Sequence, residues 1–245
     1  MNPIKDEWVS DDGRIRLLLG DSHEVLPAME AGSVDAVITD PPYPRKFEHV
    51  WQALGEPAFR VCKENAFLAT LLGHYQLPLV LDTIRAGGWE FYWVGMLSGN
   101  KSAIMHGFKV KCCSKPSLVF RKGSARPFRI WRDDWGKYVG DAPWRKAKTA
   151  HGWGQPAESM YEPISAFTEE DGLVLDPFLG GGSTAAACIW MHRRFIGVEL
   201  ERESFDVAVS RCKDVGRLEK ASFGFRPSMD RPSIKGFFHN KEEAK

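Results

Sequence analysis

Residues 173–199 read LVLDPFLGGGSTAAACIWMHRRFIGVE, and this stretch decides the fold. The apolar run ending at Asp176 is typical of a short buried strand, and the glycines at 180–182 allow a tight turn that approaches a ligand closely. Small alanines follow, which suit a helix packed near a sheet. A second strand pattern ends in Glu199, near the spacing at which a carboxylate meets ribose hydroxyls in nucleoside-binding α/β folds. The stretch therefore predicts a Rossmann-like unit that holds a nucleoside.

A second informative stretch is Asp40-Pro41-Pro42-Tyr43, which follows the strand pattern Val34–Thr39. Its two prolines fix φ and remove two backbone donors, so the loop presents carboxylate and carbonyl oxygens in a stiff array. Such oxygens accept hydrogen bonds from an exocyclic amino group, and Tyr43 offers a face on which an extruded base can stack. The competing interpretation is a strand that ends in a proline turn.

Together these motifs resemble those of the DNA amino-methyltransferases that use S-adenosyl-L-methionine, in the group whose catalytic motif precedes the cofactor motif. Two further stretches are similar to family motifs, Leu18 to Ser22 and His151 to Pro156. The second departs from the family at Gln155, where the family usually has Lys; an amide still donates hydrogen bonds but carries no charge. The resemblance implies an α/β fold of class I with a circularly permuted motif order: a Rossmann-like, doubly wound and mostly parallel sheet with a small inserted target-recognition segment.

The resemblance also implies roles for single residues. The catalytic loop is Asp40, Pro41, Pro42 and Tyr43. The cofactor would have its adenine amine near Asp21, its ribose on Glu199 and its methionine amino group near Asp176. The remaining cofactor-binding positions are Gln155, Phe178, Gly180, Gly182, Ser183 and Thr184. Because the cytosine enzymes of the family usually carry Ser at the first position of the catalytic loop, Asp40 favours the N6 amine of adenine.

Length and composition agree with one substantial α/β domain, since the chain has 245 residues, of which 43% are hydrophobic. We find no twenty-residue apolar span and no signal peptide, so the sequence predicts a protein of the cytoplasm, in a bacterial cell or a phage-infected host. The five cysteines include no C-x-x-C pair, which favours reduced thiols, and no metal site is expected.

The net charge is only +1, but residues 101–148 carry a concentration of Lys and Arg interleaved with aromatic residues. This mixture suits phosphate neutralisation and stacking, and it predicts contact with double-stranded DNA. We assign DNA binding to Arg45 and Lys46, directly after the catalytic loop, and to Arg129 and Arg132. The alternative is a solvated loop around a small satellite core.

We divide the chain into a catalytic and cofactor-binding domain over 1–215, an inserted target-recognition segment over 122–150 and a polar tail over 216–245. Strands are predicted at Ile15–Gly20, Val34–Thr39, 66–72, 89–95, 117–120 and 173–176, and helices over 47–62, 77–86 and 157–168, with Pro163 bending the last. Because strands that flank one active site should be neighbours, Asp40 and Gly180 should follow adjacent parallel strands.

Several functions stay open beside N6-adenine methylation of a flipped-out base. The chain could act on the N4 amine of cytosine, on RNA adenine or on the amide of a protein glutamine, or it could be an inactive DNA-binding subunit that still holds the cofactor. A homodimer and a cognate restriction endonuclease are further partners that the resemblance admits.

Overall fold

The computed structural model describes residues 2–128, 135–137 and 157–221. Across these residues the chain forms a nine-stranded sheet in the order β1-β2-β9-β8-β3-β4-β6-β5-β7. The strands are β1 (Ile4–Val9), β2 (Ile15–Gly20), β3 (Val34–Thr39), β4 (Cys62–Leu71), β5 (Glu90–Met105), β6 (Val110–Arg121), β7 (Trp135–Lys137), β8 (Leu173–Asp176) and β9 (Arg194–Glu199).

Helices and short 3₁₀ turns connect these strands. The α-helices are α1 (Ser22–Ala28), α2 (Glu56–Val61), α3 (Leu77–Ala86), α4 (Tyr161–Phe167), α5 (Ser183–Trp190) and α6 (Arg202–Ala221). The 3₁₀ segments are Arg45–Leu54, His74–Gln76, His106–Phe108 and Ala157–Met160. Within the described part of the chain, no helix is long and apolar enough to cross a membrane.

The centre of the sheet is parallel, from β2 through β9, β8 and β3 to β4. In particular, β3 and β8 are directly paired, with Ala36 opposite Val174. The predicted adjacency of the strands that lead to Asp40 and to Gly180 is therefore confirmed. Parallel strands place their carboxyl ends at one edge, so both loops open on the same side of the sheet.

Both faces of this sheet are buried, as a doubly wound fold requires. On one face Ile38 and Phe195 pack with residues of α4, α5 and α6. On the other, Val37 and Val198 pack with residues of α1, α2 and α3. Neighbouring residues of one strand thus point into opposite cores, which explains why the central strands read as continuous apolar runs rather than as an alternating pattern. The predicted Rossmann-like class is confirmed.

Strand β1, which pairs antiparallel with β2 at the edge of the sheet, was not predicted from the sequence. Its residues are mostly exposed and its middle is charged, so it lacks the apolar signal of a buried strand. Two ion pairs add to its backbone pairing with β2. Arg202 Nη1 lies 2.6 Å from Asp6 Oδ2, and Arg16 Nε lies 2.9 Å from Glu7 Oε1. Helix α1 and the short strand β7, which pairs with β5, were not predicted either. The remaining differences concern where predicted elements begin and end.

Several boundaries differ from the predictions. The expected helix over 47–62 is divided at Gly55 into a 3₁₀ segment and α2, and β4 begins at Cys62 rather than at residue 66. The paired strands β5 and β6 are longer than their apolar centres, since backbone pairing continues beyond the buried residues. The expected helix over 157–168 begins with a 3₁₀ turn, and α4 starts only at Tyr161, which puts Pro163 in its first turn, where proline is tolerated. The last helix continues to Ala221, beyond the predicted domain end at 215. The proposed division into domains stays a prediction.

Candidate active site

The candidate site lies at the carboxyl ends of four adjacent parallel strands, each followed or ended by an acidic residue. In the order of the sheet these acids are Asp21 after β2, Glu199 at the end of β9, Asp176 at the end of β8 and Asp40 after β3. The topology thus gathers the predicted cofactor-binding acids on one side and the catalytic loop next to them. Open α/β sheets bind ligands at this edge.

The catalytic loop is held in place by the chain that follows β4. The carbonyl oxygen of Tyr43 accepts hydrogen bonds from the Tyr75 hydroxyl and, at 2.9 Å, from the Gln76 amide Nε2. Gln76 is itself buried, and its Oε1 accepts from the Gly73 backbone N–H at 3.2 Å. Sequence reasoning found neither residue of this support, because nothing in the motif shows which side chains will face it.

Within the loop, the Tyr43 hydroxyl donates to Asp40 Oδ1. Pro41 is buried, and the Asp40 side chain keeps only 15% of its exposure. Burial raises the pKa of Asp40 above its usual value, while Lys115 and the Tyr43 hydroxyl act in the opposite direction. The loop therefore presents a largely desolvated carboxyl group beside the Tyr43 ring; its catalytic role stays a prediction.

Lys115 of β6 also enters the site, and the sequence did not identify it. Its Nζ donates to the Tyr43 hydroxyl at 2.7 Å and lies 3.4 Å from Asp40 Oδ2. From the sequence, Lys115 was only one member of the basic run over 101–148, which was predicted to contact DNA. Other described members of that run are engaged inside the protein too: Lys122 Nζ donates to the carbonyls of Phe59 and Cys62, and Arg121 pairs with Glu90 at 2.7 Å. These three cations are thus structural or belong to the site, which narrows the proposed DNA surface.

The glycine loop after β8 has the conformation that its sequence demands. Gly180 and Gly182 have φ values of +52° and +78°, in the left-handed region that favours glycine. A Cβ atom at Gly182 would lie 3.0 Å from the Cβ of Ala208, so the glycine also allows α6 to pack closely. Helix α5 begins directly afterwards, at Ser183.

Glu199 is tied to this loop. Its Oε2 accepts from the Gly180 backbone N–H at 2.8 Å, and its Oε1 accepts from the Glu201 backbone N–H at 2.9 Å. Burial raises the pKa of Glu199 above its ordinary value, and these backbone hydrogen bonds lower it. Each carboxylate oxygen has a further lone pair. The group is therefore oriented in advance, with acceptor capacity left for a pair of hydroxyls.

Asp176 connects the catalytic strand to the glycine loop. Only 2% exposed, it accepts from Thr39 Oγ1 at 2.5 Å, from Thr184 Oγ1 at 2.6 Å and from the Phe178 backbone N–H at 3.0 Å. Burial raises the pKa of Asp176 to about 6 despite these donors. Through its hydrogen bonds to Thr39 and Thr184, Asp176 links β8 to β3 and to α5. The contact of Asp176 with a methionine amino group stays a prediction.

This buried acid gives a testable dependence of stability on pH. Because the pKa of Asp176 is raised from 3.8 to about 6 in the folded state, the folded protein binds more protons than the unfolded chain between those values, and stability falls as pH rises through them. The loss is on the order of 3 kcal/mol. Asp176→Asn carries no ionisable group, so its free energy of unfolding, measured by denaturant titration, should improve relative to wild type by about that amount between about pH 4 and pH 7. A difference that stays constant with pH would show that Asp176 titrates normally.

Of the remaining predicted residues, some lie in the described part of the chain and others lie outside it. Asp21 caps α1 by accepting from the His23 backbone N–H at 2.9 Å, and the neighbouring Ser22 hydroxyl donates to the Pro177 carbonyl at 2.9 Å, which joins this turn to the cofactor loop. Arg45 and Lys46 are exposed directly beyond the catalytic loop. Gln155, Arg129 and Arg132 lie outside the described residues, as do most of the segment 122–150 and residues 222–245 of the tail. The functions assigned to all these residues stay predictions.

No group of three or more His, Cys, Asp or Glu side chains that could hold a metal ion occurs among the residues described.

The sheet order and the row of acids define a Rossmann-like, doubly wound fold with a candidate ligand site at the carboxyl ends of its parallel strands. A family model for N6 and N4 methyltransferases, described as DNA methylase, matches residues 120–210. The Type II methyltransferase M2.MboI of Moraxella bovis is 22% identical over 265 residues, covering 90% of this chain and 95% of M2.MboI. The chain is thus similar to DNA methylases of the N6 and N4 type over residues 120–210, and to a Type II methyltransferase over most of its length.

Solved structures share the fold. The crystal structure of an M1.HpyAVI–SAM complex matches with a TM-score of 0.66 and 22% identity, covering 80% of this chain and 98% of that one. The cytosine-N4-specific PvuII DNA methyltransferase matches with a TM-score of 0.71 and 15% identity, covering 89% of this chain and 95% of that one.

Proposed function

We propose that the chain transfers a methyl group from S-adenosyl-L-methionine to the N6 amine of adenine in double-stranded DNA, with the base turned out of the duplex. The observation that carries the proposal is the position of Asp40. Its desolvated carboxyl group follows β3, next to Tyr43, and β3 is paired directly with the strand that leads into the glycine loop. Base acceptor and cofactor loop thus share one edge of the sheet.

The residues present suit the cofactor. The backbone at Gly180 leaves open space where a side chain would stand, since the nearest atom to a Cβ there would be the Phe178 carbonyl oxygen at 3.9 Å. Glu199 is oriented by two backbone N–H groups, with lone pairs remaining for ribose hydroxyls. Asp21 follows β2, which pairs with β9, the strand that ends in Glu199. It therefore lies on the side of the site predicted for the adenine amine of the cofactor. S-adenosyl-L-methionine supplies a sulfonium-bound methyl group, which is an electrophile.

The chemistry of the amine explains the remaining roles. An exocyclic nitrogen of adenine is a weak nucleophile because its lone pair is delocalised into the ring. The Asp40 carboxylate and the Pro41 carbonyl accept its two N–H hydrogens and draw the nitrogen toward a tetrahedral geometry. With the cofactor bound, the new N–C bond would form as the C–S bond breaks, with its electron pair remaining on the sulfur of the leaving S-adenosylhomocysteine, and Asp40 would accept one proton from the positively charged nitrogen. The raised pKa of Asp40 suits this transfer.

This mechanism requires no covalent enzyme intermediate, and most of the acceleration comes from positioning and electrostatics. The N4 amine of cytosine presents the same chemistry, so the preference for adenine rests on the Asp at position 40. Transfer of tritiated methyl groups to DNA tests the proposal directly. Cofactor binding without transfer would favour the inactive DNA-binding subunit, and transfer to RNA alone would favour the RNA enzyme.

Double-stranded DNA would lie against the exposed Arg45 and Lys46 and against the segment 122–150. Because this substrate is DNA, we place the protein in the cytoplasm of a bacterial cell or phage-infected host. A homodimer and a cognate restriction endonuclease remain proposals of the same kind.

The DNA surface gives a prediction about salt. Each lost phosphate contact lowers the slope of log affinity against log salt concentration by about 0.9, so replacing Arg129 and Arg132 with Ala should lower the slope by about 1.8 and weaken DNA binding most in dilute salt. Fluorescence anisotropy with a labelled duplex over a salt series measures both. Replacing the exposed Arg85 and Arg217 is the matched control. An unchanged slope in the first double variant would remove these two arginines from the DNA surface.

A further inference from the structure

Lys115 occupies the place in which the target amine would be expected. Its ammonium lies 3.4 Å from Asp40 Oδ2, 2.7 Å from the Tyr43 hydroxyl and 4.5 Å from the centroid of the Tyr43 ring. An amine bound by Asp40, on a base stacked against Tyr43, would use the same carboxylate and the same aromatic ring. Ammonium and amine are both N–H donors, so they compete for Asp40.

The charges around Asp40 explain why a cation is needed there. Burial disfavours the ionised carboxylate, and Asp176 at the end of the neighbouring β8 is a second buried acid that interacts unfavourably with Asp40. The Tyr43 hydroxyl donates to Asp40 but carries no charge. Among the described residues that interact with Asp40, Lys115 is the one that supplies positive charge. Without it, Asp40 would tend to be protonated and would then be a poor acceptor for an amine.

The same cation is unfavourable once the methyl group moves. The amine nitrogen gains positive charge during transfer, and an ammonium a few ångströms away would raise the energy of that state. The Lys115 side chain is 26% exposed and the contact with Asp40 is long for a charged hydrogen bond, so the ammonium can withdraw without opening the core. Lys115 is therefore suited to the site before the base arrives and unsuited to it afterwards.

We propose that Lys115 is a positioning residue that favours the ionised form of Asp40 in the free protein and gives up its place to the target amine. The inference rests on the proposed function for the identity of the amine, but the coupling between Lys115 and Asp40 is a property of the protein alone. It assigns to a lysine of β6 a task in preparing the amine acceptor, distinct from phosphate binding.

Two measurements on Lys115→Met test this, with Lys115→Arg as the variant that restores a cation and Lys213→Met as the control that removes an exposed lysine charge from α6, away from the basic run. The first measurement is a carbon NMR titration of protein labelled at the aspartate carboxyl groups, with the Asp40 resonance assigned by its absence in Asp40→Asn. The second is the pH profile of single-turnover methyl transfer to DNA.

In Lys115→Met the Asp40 titration should move to higher pH, and on the acidic limb the transfer rate should fall about tenfold or more, while the alkaline plateau stays within a few-fold of wild type. Lys115→Arg should restore both, and Lys213→Met should change neither. An unmoved Asp40 titration would overturn the proposal, and so would a rate lost equally at every pH. If the titration moves but wild type transfers no methyl group, the coupling is supported and the proposed function fails.

Discussion

Replacing Asp40 with alanine is expected to lower the rate of methyl transfer by about 10²- to 10³-fold, the usual cost of losing one group that stabilises charge in the transition state. The variant removes the carboxylate acceptor of the amine but touches no residue of the glycine loop or of β9, so cofactor affinity should stay within about twofold. Single-turnover transfer of a radiolabelled methyl group measures the rate, and calorimetric titration with S-adenosyl-L-methionine measures the affinity.

Two companion variants sharpen this result. Asp40→Asn keeps an oxygen acceptor of the same shape and should retain more activity than Asp40→Ala. Asp82→Ala removes an exposed acid from α3 and should behave as wild type. If Asp40→Ala lost cofactor binding and transfer together while remaining folded, the separation of the catalytic loop from the cofactor loop would be wrong.

The second large effect is expected at Glu199. Glu199→Ala leaves a buried pair of ribose hydroxyls without their acceptor and frees the Gly180 N–H, so cofactor binding should weaken by about 1 to 3 kcal/mol, or roughly 5- to 150-fold. Glu199→Gln keeps an oxygen acceptor without the charge and should fall between alanine and wild type. Isothermal titration of the cofactor measures all three proteins.

The control for this series is Glu201→Ala. Glu201 is exposed and donates its backbone N–H to Glu199 Oε1, so this substitution keeps that hydrogen bond and should leave the affinity within about twofold of wild type. At saturating cofactor, Glu199→Ala should recover most of its transfer rate, in contrast to Asp40→Ala. Equal losses of rate at saturation in the two variants would contradict the assigned roles.

The central sheet and the position of the motifs could be predicted because they depend on local patterns. Apolar runs ending in an acid, such as those before Asp176 and Glu199, identify buried parallel strands, and the ligand edge of such a sheet follows from the direction of its strands. The adjacency of the catalytic and cofactor loops followed from the requirement for one active site. The charged edge strand β1 offered no such pattern.

Lys115 could not be predicted, because the contact with Asp40 joins residues 75 positions apart, in a strand whose register is set by pairing with β4 and β5. A lysine within a basic run favours the interpretation of a phosphate ligand. Only the folded structure shows that the Lys115 side chain lies beside Asp40. The same reason hid the structural use of Lys122, whose ammonium satisfies two backbone carbonyls. Gln76 could not be predicted either, because the role of a buried amide depends on the groups it contacts in the folded protein and not on its neighbours in sequence.

Nucleoside analysis of DNA methylated by the purified protein tests the central claim most directly. A duplex of mixed sequence is incubated with S-adenosyl-L-methionine, digested to nucleosides and examined by mass spectrometry, with Asp40→Ala as the parallel sample. We expect N6-methyladenine in the wild-type digest and almost none with Asp40→Ala. N4-methylcytosine would keep the mechanism but contradict the assignment of the base, and a wild-type digest without any methylated nucleoside, from protein that binds the cofactor, would contradict the proposed function.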